Sequence, residues 1–208
     1  HAEDQIREQF PGAVYHSSRD ARTMKVPADM ADLAQKPLDE PLIKAMSYHQ
    51  TVTEKMMERF DLLNNFLFQD KVQHYHRHLM YWHAVLDHLR PDVVVFPMPP
   101  HAVYDYVIYG LCDVLSIRTV MFERATFPGL VTIMGKFEDG SEDLRHAYRK
   151  ILADGTPTAV LSPAAETRMQ EITGDFADGM APHMRFVVDQ QKQKHHFARF
   201  RSNGGGAP

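Results

Sequence analysis

An α/β domain with a small parallel sheet flanked by long amphipathic helices is what this sequence predicts, on three observations. Asp92-Val-Val-Val-Phe96 is a short, continuous β-branched run that reads as a strand buried on both faces, and Thr119-Val-Met-Phe122 reads as a second short strand. Between them, residues 102–115 carry apolar side chains at helical spacing. Ahead of them, two longer segments repeat apolar residues at steps of three and four. Strand, helix and strand within 92–123 make a βαβ unit, which implies a parallel pair joined by a right-handed crossover.

The elements follow in order. Residues 1–40 are polar and broken by Pro11, Pro27 and Pro37, so a mostly irregular segment is expected, with one short strand in Phe10–His16 and a helical turn near Ala28–Ala34. From Pro41 the spacing changes. Leu42, Met46, His49, Thr53, Met56 and Phe60 fall on one stripe of a single helix over 41–60. Phe68, Val72, Tyr75, Leu79, Trp82, Leu86 and Leu89 mark a second helix over 66–90, ended by Pro91.

After the βαβ unit, Leu130–Met134 reads as a third extended segment and residues 143–152 as a helix. Ser162 and Pro163 supply an N-cap and a first-turn proline for another, running towards Phe200 with breaks expected at Gly174, Gly179 and Pro182. The predicted organisation is an irregular segment over 1–40, an α/β domain over 41–160, a C-terminal helical segment over 161–201 and a flexible Gly-rich tail over 202–208. The chain starts at His1 and ends in that tail, so a piece of a longer protein is expected.

Composition narrows the function classes. The chain has 208 residues, 44% of them hydrophobic, with 23 Lys and Arg against 27 Asp and Glu. The net charge of -4 argues against a dedicated nucleic-acid binder. No apolar run approaches the roughly 20 residues of a spanning helix. Cys112 is the sole cysteine, which excludes an internal disulfide and suits a reducing compartment. The expected location is the cytoplasm, at most peripheral to a membrane.

Cofactor fingerprints are missing. There is no Gly-x-Gly-x-x-Gly, P-loop, His-Glu-x-x-His, Cys-x-x-Cys, Gly-x-Ser-x-Gly or Asp-x-Asp. No metal and no tightly bound cofactor is expected. His74 and His78 stand four apart, but two ligands alone are a weak metal signal, and a solvated helix face is the plainer reading. His49, within an apolar stripe, is expected as a hydrogen-bonded core histidine. The basic stretch from Lys192 to Arg201, with His195 and His196, reads as a solvated helix end leading towards another domain.

The chemistry is placed by the βαβ unit. Ligands of open α/β sheets bind beyond the carboxyl ends of the parallel strands. The first strand runs into the loop before His101 and the second into Glu123-Arg124, so His101, Asp105, Glu123 and Arg124 are expected around one crevice. An imidazole exchanges protons near neutral pH, which makes His101 a candidate catalytic group. Glu123 is the second, able to orient that imidazole or to accept a sugar hydroxyl. Arg124 suits a carboxylate or phosphate. Asp105, Thr126 and Arg19 complete the candidate substrate-binding set, and Arg22 shares the N-terminal loop with Arg19. The competing reading is a structural Glu–Arg pair with His101 beside a helix start.

Several motifs together carry a resemblance. They are Tyr81-Trp82, Arg90-Pro-Asp-Val-Val-Val-Phe96, Pro100-His101-x-x-x-Asp105-Tyr106-Val107, Thr119-Val-Met-Phe-Glu-Arg124, Phe127-Pro-Gly129 and Phe137-Glu-Asp-Gly-Ser141. Across residues 70–145 the chain resembles the amino-terminal half of capsular or surface-polysaccharide glycosyltransferases. The resemblance implies a Rossmann-like domain, one half of a GT-B arrangement. It also implies a glycan acceptor, a nucleotide-sugar donor gripped by a second domain beyond the C-terminus, and no bound metal. A non-catalytic glycan- or protein-binding module is the alternative from a different class. A nucleotide- or phosphate-sugar-processing enzyme is a third.

Overall fold

The computed structural model describes residues 2–34, 36–61, 65–125, 127, 130–155 and 161–174. They fall into two compact units. One spans residues 1–125 and 129–146; the other spans 126–128 and 147–208. The C-terminal segment beyond residue 174, with His195, His196, the Lys192–Arg201 stretch and the 202–208 tail, lies outside the described residues.

The first unit is mixed α/β. Three strands, β1 (Val93–Phe96), β2 (Arg118–Arg124) and β3 (Val131–Met134), form one sheet in that order. β1 and β2 run parallel, with Val94 opposite Thr119 and Phe96 opposite Met121. β3 returns antiparallel, with Met121 opposite Met134 and Glu123 opposite Thr132. The sheet is therefore mixed, where a parallel one was expected. The link from Ala125 to Leu130 is too short for a crossover, and the Ala125 N–H donates to the Leu130 carbonyl at 3.0 Å.

Helix α6 (Val103–Val114) is the crossover between β1 and β2. The pleat puts Phe96, Met121 and Met134 in one row facing it, and Tyr106 and Tyr109 of α6 cover that row. The expectation that the first strand is buried on both faces does not hold. Val93 and Val95 stay on the far face, where Val95 is 56% exposed, as is Ile133 of β3 at 54%.

The long helices reach the sheet mainly through α6. Residues 41–60 form two helices instead of one, α3 (Glu40–Ala45) and α4 (Ser47–Phe60), joined at Met46. The Asp39 carboxylate caps α3 by accepting the Leu42 N–H at 2.8 Å. α5 (Phe68–Leu89) ends at Arg90 in a left-handed conformation, φ 43°, immediately before Pro91. Its buried side chains, Tyr75, Leu79, Trp82 and Leu86 among them, join Met46, Met57, Val107 and Leu111 in the main core. Phe68 and Leu89, at the ends of the predicted stripe, are exposed.

Phe10–His16 contains no strand. The segment around it is more helical than expected, with α1 (Ala2–Gln9), α2 (Ser18–Thr23) and a 3-10 turn at Ala28–Met30. Past the sheet, α7 (Glu142–Ala153) runs from the first unit into the second, and α8 (Pro163–Thr173) belongs to the second. The Ser162 hydroxyl caps α8 by accepting the Ala165 N–H at 3.3 Å, and the helix stops at Gly174 as expected. No described helix is long and apolar enough to cross a membrane.

Candidate functional site

The loop Pro97–Ala102 carries the chain from β1 into α6, and its geometry is set by Asp105. That carboxylate sits at the third position of α6 and accepts the Ala102 N–H at 2.8 Å and the His101 N–H at 3.3 Å. Burial raises the Asp105 pKa, and these hydrogen bonds offset only part of the rise. From the other side, the Arg59 guanidinium at the end of α4 donates to the His101 carbonyl. The His101 backbone is thus held between two helices.

The ring is oriented as well. Nδ1 of His101 lies 3.1 Å from the Pro99 carbonyl oxygen. A carbonyl can only accept, so in the neutral ring Nδ1 carries the proton and Nε2 has the lone pair. An imidazole in that tautomer can take a proton or bind an electrophile at Nε2.

His101 lines a cavity of 380 Å³ with Arg22, Phe60, His74, His78, Ala102, Val103 and Tyr104. The Arg22 guanidinium lies 5.9 Å from the centre of the Tyr104 ring. A neighbouring cavity of 720 Å³ shares Phe60, His74 and Val103 and adds Asp61, Asn65, Lys71 and Arg77. Asp61 accepts the N–H groups of Asn65 at 2.8 Å and Phe66 at 3.2 Å, and Lys71 Nζ lies 3.3 Å away. Burial alone would raise the Asp61 pKa; these partners outweigh it and hold the carboxyl below its ordinary value.

The predicted site residues are brought together only in part. His101 and Asp105 meet, with Asp105 holding the backbone around the imidazole. Glu123 and Arg124 leave the same end of the sheet as the loop before His101, because β1 and β2 are parallel neighbours. Both are exposed, and no described hydrogen bond or ion pair joins either to His101. Adjacent strand residues point to opposite faces, so Glu123 shares the α6 face with Met121 while Arg124 shares the far face with Phe122. Arg19 is exposed on α2; its neighbour Arg22 is the arginine at the cavity. Thr126 lies outside the described residues, as do Pro128 and Gly129 of the Phe-Pro-Gly motif.

Sequence reasoning treated His74 and His78 as a solvated face and did not single out Arg77. His78 is only 1% exposed, and its Nε2 lies 3.1 Å from Nε2 of His74. His78 comes three residues after Tyr75 and immediately before Leu79, and its polar side chain gives no sequence signal of burial; the packing of α5 against α4 and α6 goes with it. His49 is buried as expected, with Nε2 3.5 Å from an Asp113 carboxylate oxygen, but its Nδ1 has no described partner. Cys112 is buried, and burial pushes its thiol up to about 12, which favours the thiol over the nucleophilic thiolate.

No protein-family model, curated protein or solved structure matches this chain. The functional reading therefore rests on the site.

Proposed function

We propose that this chain is the acceptor-side half of a GT-B-like glycosyltransferase acting in surface-polysaccharide assembly, and that the cavity beside His101 receives the glycan. The nucleotide-sugar donor is then gripped by a second, Rossmann-like domain of the same enzyme. One observation carries the reading. His101 stands at the carboxyl end of a parallel strand with Nδ1 held by the Pro99 carbonyl, so that in the neutral ring Nε2 is the proton acceptor.

The surroundings suit a sugar. Tyr104 and Phe60 bring aromatic side chains to the cavity for the apolar side of a pyranose, and Arg22 brings donors for hydroxyl or acidic groups. In an inverting transfer, His101 Nε2 removes the proton of the acceptor hydroxyl as its oxygen attacks the anomeric carbon and the nucleotide departs. Glu123, on the α6 face at the same end of the sheet, serves as a binding group. His101→Ala in the full-length enzyme is expected to lower transfer by about 10²- to 10⁴-fold, the usual contribution of a general base. Near-normal turnover in that variant removes His101 from the mechanism.

A second reading is favoured by a different observation. Neither Asp105, committed to backbone N–H groups, nor Glu123 orients the imidazole of His101. A glycan-binding module would not need such a partner. Assay of the full-length protein with oligosaccharides and sugar nucleotides separates the two. Transfer that His101→Ala lowers supports the enzyme half, and glycan binding with no transfer supports the module.

A further inference from the structure

His74 and His78 stand one turn apart on α5, so both imidazoles leave the same side of the helix. Their Nε2 atoms are 3.1 Å apart, and the rings meet edge to face at 84°. Such a pair can share one N–H···N hydrogen bond, or both nitrogens can face a common cation. An ion bound at about 2.0–2.1 Å from each nitrogen would see them at an angle of about 100°, within the range of tetrahedral and octahedral sites. The two donors are already spaced for chelation.

We propose that His74 and His78 form an open two-imidazole chelate for a late first-row divalent cation such as Zn²⁺, at the cavity that both residues line. This is independent of the sugar-transfer reading.

Several features support it. His78 is buried in the packed body of α5, so its ring is fixed before an ion arrives. Burial, with His74 and Arg77 adding to it, drives the His78 pKa well down, and burial lowers that of His74 too. Imidazole donors favour Zn²⁺, Cu²⁺ and Ni²⁺ over Mg²⁺.

Other features limit the strength of the site. No third His, Cys, Asp or Glu among the described residues completes a ligand set. The remaining positions fall to water or to a donor atom of a bound molecule, which Arg22 and His101 on the same cavity could help hold if it is anionic. Nδ1 of His78 has no described partner to strengthen it as a ligand, and Arg77 adds repulsion. The expected site is an exchangeable one, weaker than a four-ligand structural zinc centre.

The test is a Zn²⁺ titration of the untagged full chain, followed through the imidazole nitrogen resonances, with Mg²⁺ as the control. The chain has 13 histidines, so the readout must be specific to the residue. Zn²⁺ is expected to move the Nε2 signals of His74 and His78 together at one ion per chain, and Mg²⁺ to leave them unmoved. His74→Gln, at an exposed position, should weaken that event at least tenfold without unfolding the chain. His78→Gln should do the same where it folds. Unmoved His74 and His78 signals, or Zn²⁺ affinity unchanged in His74→Gln, would assign the ion to other histidines and overturn the proposal.

Discussion

Phe96 on β1 stands opposite Met121 on β2 in a parallel register, and both side chains face the aromatic underside of α6. This pairing fixes which ends of the two strands emerge together, and so where the loop before His101 and the end of β2 lie. Met121 is fully buried at the centre of the row. Met121→Ala leaves a cavity there and is expected to cost about 2–5 kcal/mol. Urea unfolding followed by circular dichroism measures it; a loss below about 0.5 kcal/mol would mean the row is not packed as described.

A second contact tests how α4 meets α6. A Cβ at Gly110 would come within 2.7 Å of Cγ and 2.9 Å of Cβ of His49, so only a residue without a side chain lets the two helices approach this closely. Both atoms belong to the stiff, buried base of the imidazole and cannot swing away. Gly110→Ala is expected to destabilise the fold by about 1–3 kcal/mol in spite of alanine's better helix propensity. A stabilised variant in thermal melts would contradict the packing.

Acid sensitivity follows from His78. Burial, reinforced by His74 and Arg77, pushes its pKa down to about 3 in the folded chain. The unfolded chain then binds more protons than the folded one between pH 6.5 and about 3. The stabilising term is complete above pH 6.5 and is lost progressively as pH falls below it, by up to about 1.4 kcal/mol per pH unit. Stability curves from pH 7.5 to 5 should show this slope, and His78→Gln should flatten it. An equal slope in both proteins would place the titration elsewhere.

The βαβ unit was legible because its parts are local. Val93–Phe96 and Thr119–Phe122 are β-branched runs, Pro91 marks the end of α5, and helical spacing marks α6. The exposed far face was not legible, because four consecutive apolar residues look the same whether one side is packed or both. The direction of β3 could have been read from its short link to β2, which leaves no room for a crossover. The break at Met46 has no proline or glycine to announce it. It goes with tertiary contacts, including the Tyr75 hydroxyl donating to the Met46 carbonyl at 3.4 Å.

At the site, the position of His101 followed from strand polarity, but its company did not. Asp105 was visible as a nearby carboxylate, while its work as a helix cap depends on backbone N–H directions that a linear sequence hides. Glu123 and Arg124 are neighbours in the sequence, yet the two-residue period of a strand sends them to opposite faces. Arg22, Phe60 and the His74–His78 pair come from three separate helices and meet only in the folded chain.

The most direct test of the account is an NMR titration of the chain with oligosaccharides released from capsular polysaccharide. The account predicts saturable shifts centred on His101, Tyr104, Phe60 and Arg22. Shifts confined to the exposed sheet face around Val95 and Ile133, or none with any oligosaccharide, would contradict it.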